Sequence, residues 1–389
     1  MWRIRGAAPA LIAVVLAAAC TSDPPPPEPG PTGPTRPTPV PAPQPPLAME
    51  AARTFPSGDA SADIVAADLD GDGFLDLATP NYNSNNLVVL LADGTGGFAP
   101  PVTYPAGRTP NGILAVDLSG DGHLDIATAN LGSDDVSVLL GAGDGTFAAP
   151  VTYPAGDGAA RIVAVDLTGD GVLDLATPDL NGDDVTILEG DGTGRFGPPR
   201  SVPAGDGPLR IAVVDLDGDG RLDLATANYN SDDVTVMRGN GSGGFGPPVS
   251  YPADDTAAGI VVRDLDRDGV LDAATANYDA DTIAVLFGRG DGSFAPPAIY
   301  AAGDAPSDIV AVDLNGDGHL DLASINFDSD DVTVLAGDGS GGFAAPVALP
   351  AGDGPPALLV ADFDGDGKPD LATANSLADS VSVILNKGR

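Results

Sequence analysis

The chain has 389 residues and a formal net charge of −39, from 56 acidic and 17 basic side chains. That balance argues against nucleic acid and anionic headgroups as partners of the folded part, because both need clustered Lys and Arg. A single cysteine and two histidines leave no disulfide framework, no Cys-based metal cluster and little for His-based catalysis, while a hydrophobic fraction of 43% is enough to build a core.

Arg3 and Arg5 precede an uncharged run from Gly6 to Ala19, too short to span a bilayer as a helix and shaped like a secretory signal. It ends Leu16-Ala17-Ala18-Ala19-Cys20, which resembles the lipobox of bacterial lipoproteins with leucine one place earlier than in the commonest form. The resemblance implies that residues 1–20 are a lipoprotein signal peptide, with cleavage before Cys20 and lipidation of that residue. The mature protein is then expected to be secreted and lipid-anchored to the bacterial cell envelope, facing periplasm or exterior. An ordinary signal peptide cut nearby, with an incidental cysteine, is the alternative. Residues 21–46 follow, with 13 prolines; a stretch without apolar side chains for a core reads as a disordered stalk reaching up to about 80 Å.

The rest, 47–389, is one unit repeated seven times. The pattern Asp-x-[Asp/Asn/Ser/Thr]-x-Asp-Gly-x-x-Asp starts at Asp68, Asp117, Asp166, Asp215, Asp264, Asp313 and Asp362, each start 49 residues after the last. A fixed period without insertions points to one closed repeat architecture. In the second unit Ile113–Val116 precedes the acidic loop and Leu124–Thr128 follows it. Val136–Leu140 comes after a polar turn at Asn130–Asp134, and Val151–Tyr153 closes the unit. Runs this short, bounded by Gly, Pro, Asn and Asp, are strands. Seven units of four strands predict an all-β, seven-bladed β-propeller. The last unit stops after its third strand, Val381–Leu385, and Phe55-Pro56-Ser57-Gly58 aligns with Tyr104-Pro105-Ala106-Gly107. Residues 49–56 are therefore expected to supply the missing outer strand and close the ring. Phe98, Phe147, Phe196, Phe245, Phe294 and Phe343 keep the period, with Met49 in the equivalent place, and are expected to pack between blades.

The acidic loops carry the chemistry. Position 3 is Asp70, Ser119, Thr168, Asp217, Asp266, Asn315 and Asp364; position 5 is Asp72, Asp121, Asp170, Asp219, Asp268, Asp317 and Asp366; position 9 is Asp76, Asp125, Asp174, Asp223, Asp272, Asp321 and Asp370. Hard oxygen donors at alternating places in a tight turn suit Ca²⁺, so these residues and the starting aspartates are candidate ligands for up to seven ions, one per blade. Position 6 is always glycine, which permits the left-handed turn around an ion. Position 7 varies freely, as expected where only its carbonyl ligates, and His123 and His319 fall there as bystanders. Merely polar turns are a poor alternative, because two carboxylates ~4 Å apart repel by about 4 kcal/mol at an effective dielectric of 20. Ser119, Thr168 and Asn315 predict weaker sites, and Arg267 in place of the usual glycine is expected to perturb the fifth loop.

An EF-hand needs Glu at position 12 and flanking helices; here position 12 is Thr79 and the flanks are strands. The nine-residue, strand-flanked loop resembles the FG-GAP or VCBS repeat family, the integrin-α-like propellers, over residues 47–389. The resemblance implies ligand binding on the face opposite the acidic loops. That face is expected to carry Asn81-Tyr82, Asn130, Asp179, Asn228-Tyr229, Asn277-Tyr278, Asn326-Phe327 and Asn375, together with Arg108, Arg161 and Arg210 on the interblade links. Aromatics beside amides suit a glycan, so Tyr82, Tyr229, Tyr278, Phe327, Arg161 and Arg210 are the candidate contacts; plain turn-forming Asn and Asp are the alternative. No motif places a nucleophile or base outside the repeat. The favoured function is non-catalytic binding of a glycan or an extracellular or cell-surface protein, with the membrane touched only through the lipid. The alternatives are a structural envelope domain and a polysaccharide-active enzyme.

Overall fold

The computed structural model describes residues 47–388. The leader with Cys20 and the proline-rich stretch lie outside the described residues. Seven four-stranded antiparallel sheets are arranged as the blades of a propeller, and the described residues contain no helix. The second blade runs Pro110–Val116, Asp125–Asn130, Asp135–Leu139 and Val151–Pro154. Its second and third strands meet closer to the turn than the apolar pattern suggested, because Asn130 ends a strand instead of opening a loop. The turn itself is set by an Asx residue with positive φ, Asn85 or one of Asp134, Asp183, Asp232, Asp281, Asp330 and Asp379, a conformation that short polar side chains tolerate. Each of these side chains also accepts a hydrogen bond from the link into the next blade, as Asp134 does from Gly158 N at 2.9 Å and Asp379 from Ala60 N at 3.0 Å.

The last of these contacts joins the end of the chain to its beginning. Arg53–Pro56 pairs with Ser380–Ile384 as the outer strand of the final blade, in the register Arg53↔Val383 to Pro56↔Ser380. A bridge between Met49 and Asn386 extends the seam. The expected closure by residues 49–56 is what the structure has.

The core is a ring of seven apolar clusters, each spanning two neighbouring blades. One joins Leu77 and Val88 of the first blade to Leu359 and Val383 of the last, so the ring has no open side. The repeated phenylalanines sit at these seams. Phe147 meets Tyr104 of the preceding blade edge-on at 5.4 Å, and Phe98 meets Phe55 at 4.8 Å, geometries worth about 0.5–1.5 kcal/mol beyond burial. Met49 packs at the seam between the sixth and seventh blades beside Leu349. Five of the seven outer strands carry proline at or next to both ends, as in Pro150-Val151-Thr152-Tyr153-Pro154. Proline cannot donate to a ladder, which blunts these exposed edges.

Deleting residues 47–57 removes an outer strand, Phe55 and Met49 together. The melting temperature of the ring, followed by circular dichroism, is expected to fall by about 10 °C.

Candidate metal centres

The acidic loop is built by its own carboxylates. Asp68 Oδ1 accepts hydrogen bonds from Gly71 N at 2.8 Å and Asp72 N at 3.1 Å, and its Oδ2 accepts one from Gly73 N at 3.0 Å. Asp72 Oδ1 accepts from Phe74 N at 2.9 Å. Gly73 has φ 89° and nothing within 4 Å of where a Cβ would stand; backbone conformation, not space, requires glycine there. Arg267 adopts the same left-handed conformation at φ 64°, and its N–H still reaches Asp264 Oδ1 at 2.7 Å. The fifth loop differs in one backbone bond: Asp268 N donates to Asp266 Oδ1 at 3.1 Å, where position 5 N of each of the other six loops donates to its starting aspartate.

Position 9 has a different environment. All seven of its aspartates are 0–1% exposed. Asp76 Oδ2 accepts from Leu69 N at 2.8 Å and Oδ1 from Ala92 N at 2.7 Å, and the other six repeat the arrangement. Each thus ties the acidic loop to the turn between the third and fourth strands. Burial pushes the Asp76 carboxyl up to about 7 against the pull of its two N–H donors. Burial likewise takes Asp272, Asp321 and Asp370 to about 6.

Positions 1, 3 and 9 converge. In Asp68-Asp70-Asp76, Asp215-Asp217-Asp223, Asp264-Asp266-Asp272 and Asp362-Asp364-Asp370, one oxygen from each residue lies within 4.8 Å of the others. Such a set of hard oxygens fits a hard divalent cation. Position 5 stays close enough to feel the cluster: burial first, then the charges of Asp70 and Asp68, hold Asp72 above its ordinary value. In the remaining loops Ser119, Thr168 and Asn315 interrupt the carboxylate set. His123 and His319 lie in separate blades against Gly143 and Gly339 of the neighbouring turns.

On the opposite face the amides and the rings part company. Asn81, Asn130, Asn228, Asn277, Asn326, Asn375 and Asp179 are wholly buried, inside the hairpins. Asn130 Nδ2, for example, donates to Asp135 Oδ1 at 2.7 Å and to Ser137 Oγ at 3.0 Å. They cannot meet a ligand. The rings stay at the surface: Tyr82 is exposed, while Tyr229, Tyr278 and Phe327 form an arc over three blades with centroids 6.3 and 6.5 Å apart. Arg108 is exposed on its link.

Arg161 and Arg210 are not part of that face. Arg161 Nη1 lies 2.6 Å from Asp63 Oδ2, and Arg210 Nη2 lies 2.9 Å from Asp308 Oδ2. Each pair joins inner strands two blades apart, which is possible only around the ring axis. The blade between contributes glycine, and a Cβ on Gly112 would stand 2.7 Å from Arg161 Cα. Burial lowers Arg210 to about 10, with the charge of Arg161 acting in the same direction. These arginines are committed to the fold. The signal for them was present, since residues at the period of 49 from Asp63 read Asp63, Gly112, Arg161, Arg210, Gly259, Asp308 and Ala357.

The model of an FG-GAP-like repeat matches the chain at residues 68–128, 120–177, 175–226, 215–275, 271–324 and 313–373. No curated protein matches it. Among solved structures it is similar to an Agrocybe aegerita lectin described for specific recognition of non-reducing terminal N-acetylglucosamine, at TM-score 0.53 and 23% identity, covering 78% of this chain and 81% of that one. It is similar to a catalytically inactive virginiamycin B lyase from Staphylococcus aureus with quinupristin, at TM-score 0.56 and 12% identity, covering 86% and 98%. A third is a possible 6-phosphogluconolactonase from Bacteroides fragilis, at TM-score 0.59 and 16% identity, covering 76% and 86%. At these identities the likeness is one of fold, and the fold serves binders and enzymes alike.

Asp179 stands where six blades have asparagine, facing Asp184. Burial, then the Asp184 carboxylate, pushes it up to about 8, and Asp179 Oδ2 and Asp184 Oδ1 both lack a donor. A proton held between them reproduces the amide of the other blades. The folded chain thus keeps a proton that the unfolded chain releases above 3.8, so stability is lost as pH rises through that interval. Asp179→Asn is expected to be more stable than the parent in urea denaturation. The gain should grow from a pH of about 4 and level off above about 8.

Proposed function

We propose, starting from the fact that the chain belongs to the FG-GAP-like repeat family, that it is a Ca²⁺-braced, non-catalytic binding protein that takes a glycan on the face opposite its acidic loops. The observation that carries this reading is the arc of Tyr229, Tyr278 and Phe327. Three neighbouring rings, backed by rigid hairpins, give a stacking platform for the apolar faces of sugar rings. The Asn residues beside the rings are buried and serve to hold those rings in place. Exposed Asp279 and Asp328 beside them are acceptors for sugar hydroxyls.

The acidic loops support the same reading from the other side. The ligands of a resident Ca²⁺ would come from positions 1, 3, 5 and 9, and its charge would offset the mutual repulsion of their carboxylates. The separation of His123 from His319, each against a turn glycine, supports a non-catalytic role. The Agrocybe aegerita lectin carries terminal N-acetylglucosamine recognition on a related fold. The leader sequence adds that the ring is displayed from Cys20 on a proline-rich tether at the cell envelope.

The test is a glycan and protein array probed with the full chain in Ca²⁺ and in EDTA. Glycan binding is expected in Ca²⁺, weakened about tenfold by Tyr229→Ala with Tyr278→Ala. Binding indifferent to both substitutions contradicts the assignment of this face.

A further inference from the structure

The four three-carboxylate loops differ in what surrounds them. In the fourth blade Arg238 Nη1 lies 3.0 Å from Asp217 Oδ2, and Arg221 Nη1 lies 3.4 Å from Asp219 Oδ2. In the seventh, Lys387 Nζ is paired with Asp364 Oδ2, and Lys368 Nζ lies 3.0 Å from Asp366 Oδ2. Positions 3 and 5 of both loops are therefore already engaged by cations of the chain itself.

The first and fifth blades present the opposite case. Position 7, which supplies Arg221 and Lys368, is Phe74 and Val270 there. The residues at the period of 49 from Arg238 are Leu91 and Phe287. Among the described residues no ion pair engages Asp70, Asp72, Asp266 or Asp268. Arg267 of the fifth loop directs its guanidinium to the carbonyl of Gly318 in the next blade. The three converging carboxylates thus have no ion-pair partner in two loops, whereas in the other two position 3 is paired and position 5 beside it is paired as well.

We propose that Arg221 with Arg238, and Lys368 with Lys387, are tethered counter-ions that take the place of Ca²⁺ in the fourth and seventh loops, so that the tight Ca²⁺ sites are those of the first and fifth blades. This rests on the metal reading above. A cation entering a loop so paired must first release position 3 from its partner and then sit near a like charge. Both effects weaken binding, together by about tenfold or more. The arrangement also has a structural sense in the seventh blade. Lys387 N donates to Ala48 O at 2.6 Å, in the seam that closes the ring. The loop beside that seam is braced at position 3 by Lys387 and does not wait for an ion.

The experiment is Ca²⁺ calorimetry and ion counting after equilibrium dialysis, on the full chain. Position 3 is replaced by the serine that the second blade already carries, which keeps the loop foldable. The parent is expected to hold two ions in its tight class. Asp70→Ser and Asp266→Ser should each remove one, while Asp217→Ser and Asp364→Ser should leave both. Arg221→Gln with Arg238→Gln should bring a third ion into the tight class, through an affinity gain of about tenfold. Four equal sites in the parent, a tight class that survives Asp70→Ser and Asp266→Ser, or no third ion in the arginine variant would each overturn the proposal. A parent that takes up no Ca²⁺ at all fails at the first step and overturns the metal reading itself.

Discussion

Every blade depends on a carboxylate that water cannot reach. The aspartate at the ninth loop position spends both oxygens on backbone N–H groups, one in its own loop and one in the turn beyond the third strand. It is thereby the pin between two turns that share a face. The pinned turn in its own right touches the neighbouring blade: Gly145 N donates to Leu69 O at 3.1 Å, and Gly194 N to Leu118 O at 3.1 Å. Gly243 N makes the same bond to Leu167 O, so order in one loop is passed on through the first four blades. The cost is a buried negative charge, which only hydrogen bonds, protons or cations can offset.

That cost organises the acidic residues into three groups. Some are purely structural, such as the left-handed Asp134 and its counterparts, which make turns and grip the next link. Some converge on one point with no ion-pair partner among the described residues, as in the first and fifth loops. Others converge in the same way but have position 3 paired with a guanidinium or an ammonium. A large negative net charge is thus compatible with a tightly closed ring, because much of it is engaged locally.

The period of 49 carried most of the fold. Strand count, blade count and the borrowed strand at Arg53–Pro56 followed from it, since each needs only local patterns and their recurrence. The converging oxygens at Asp68, Asp70 and Asp76 were readable for the same reason, as all lie within nine residues. What escaped was whatever broke the repeat or crossed the ring. The pairs Asp63–Arg161 and Arg210–Asp308 join residues roughly two periods apart, so a reading taken unit by unit placed the arginines on an open face. The burial of Asn130 and its counterparts also escaped, because polar residues next to a turn look alike whether they point outward or fold back into the hairpin. Arg238 and Lys387 become meaningful only when the loop they reach is known.

The central claim is that divalent cations relieve the crowding of carboxylates in the loops that have no cation of their own. Its most direct test is the melting temperature of the full chain at neutral pH in EDTA and in millimolar Ca²⁺, with ionic strength matched. A rise of about 5–10 °C with Ca²⁺ is expected. Identical melting curves in the two solutions would contradict it.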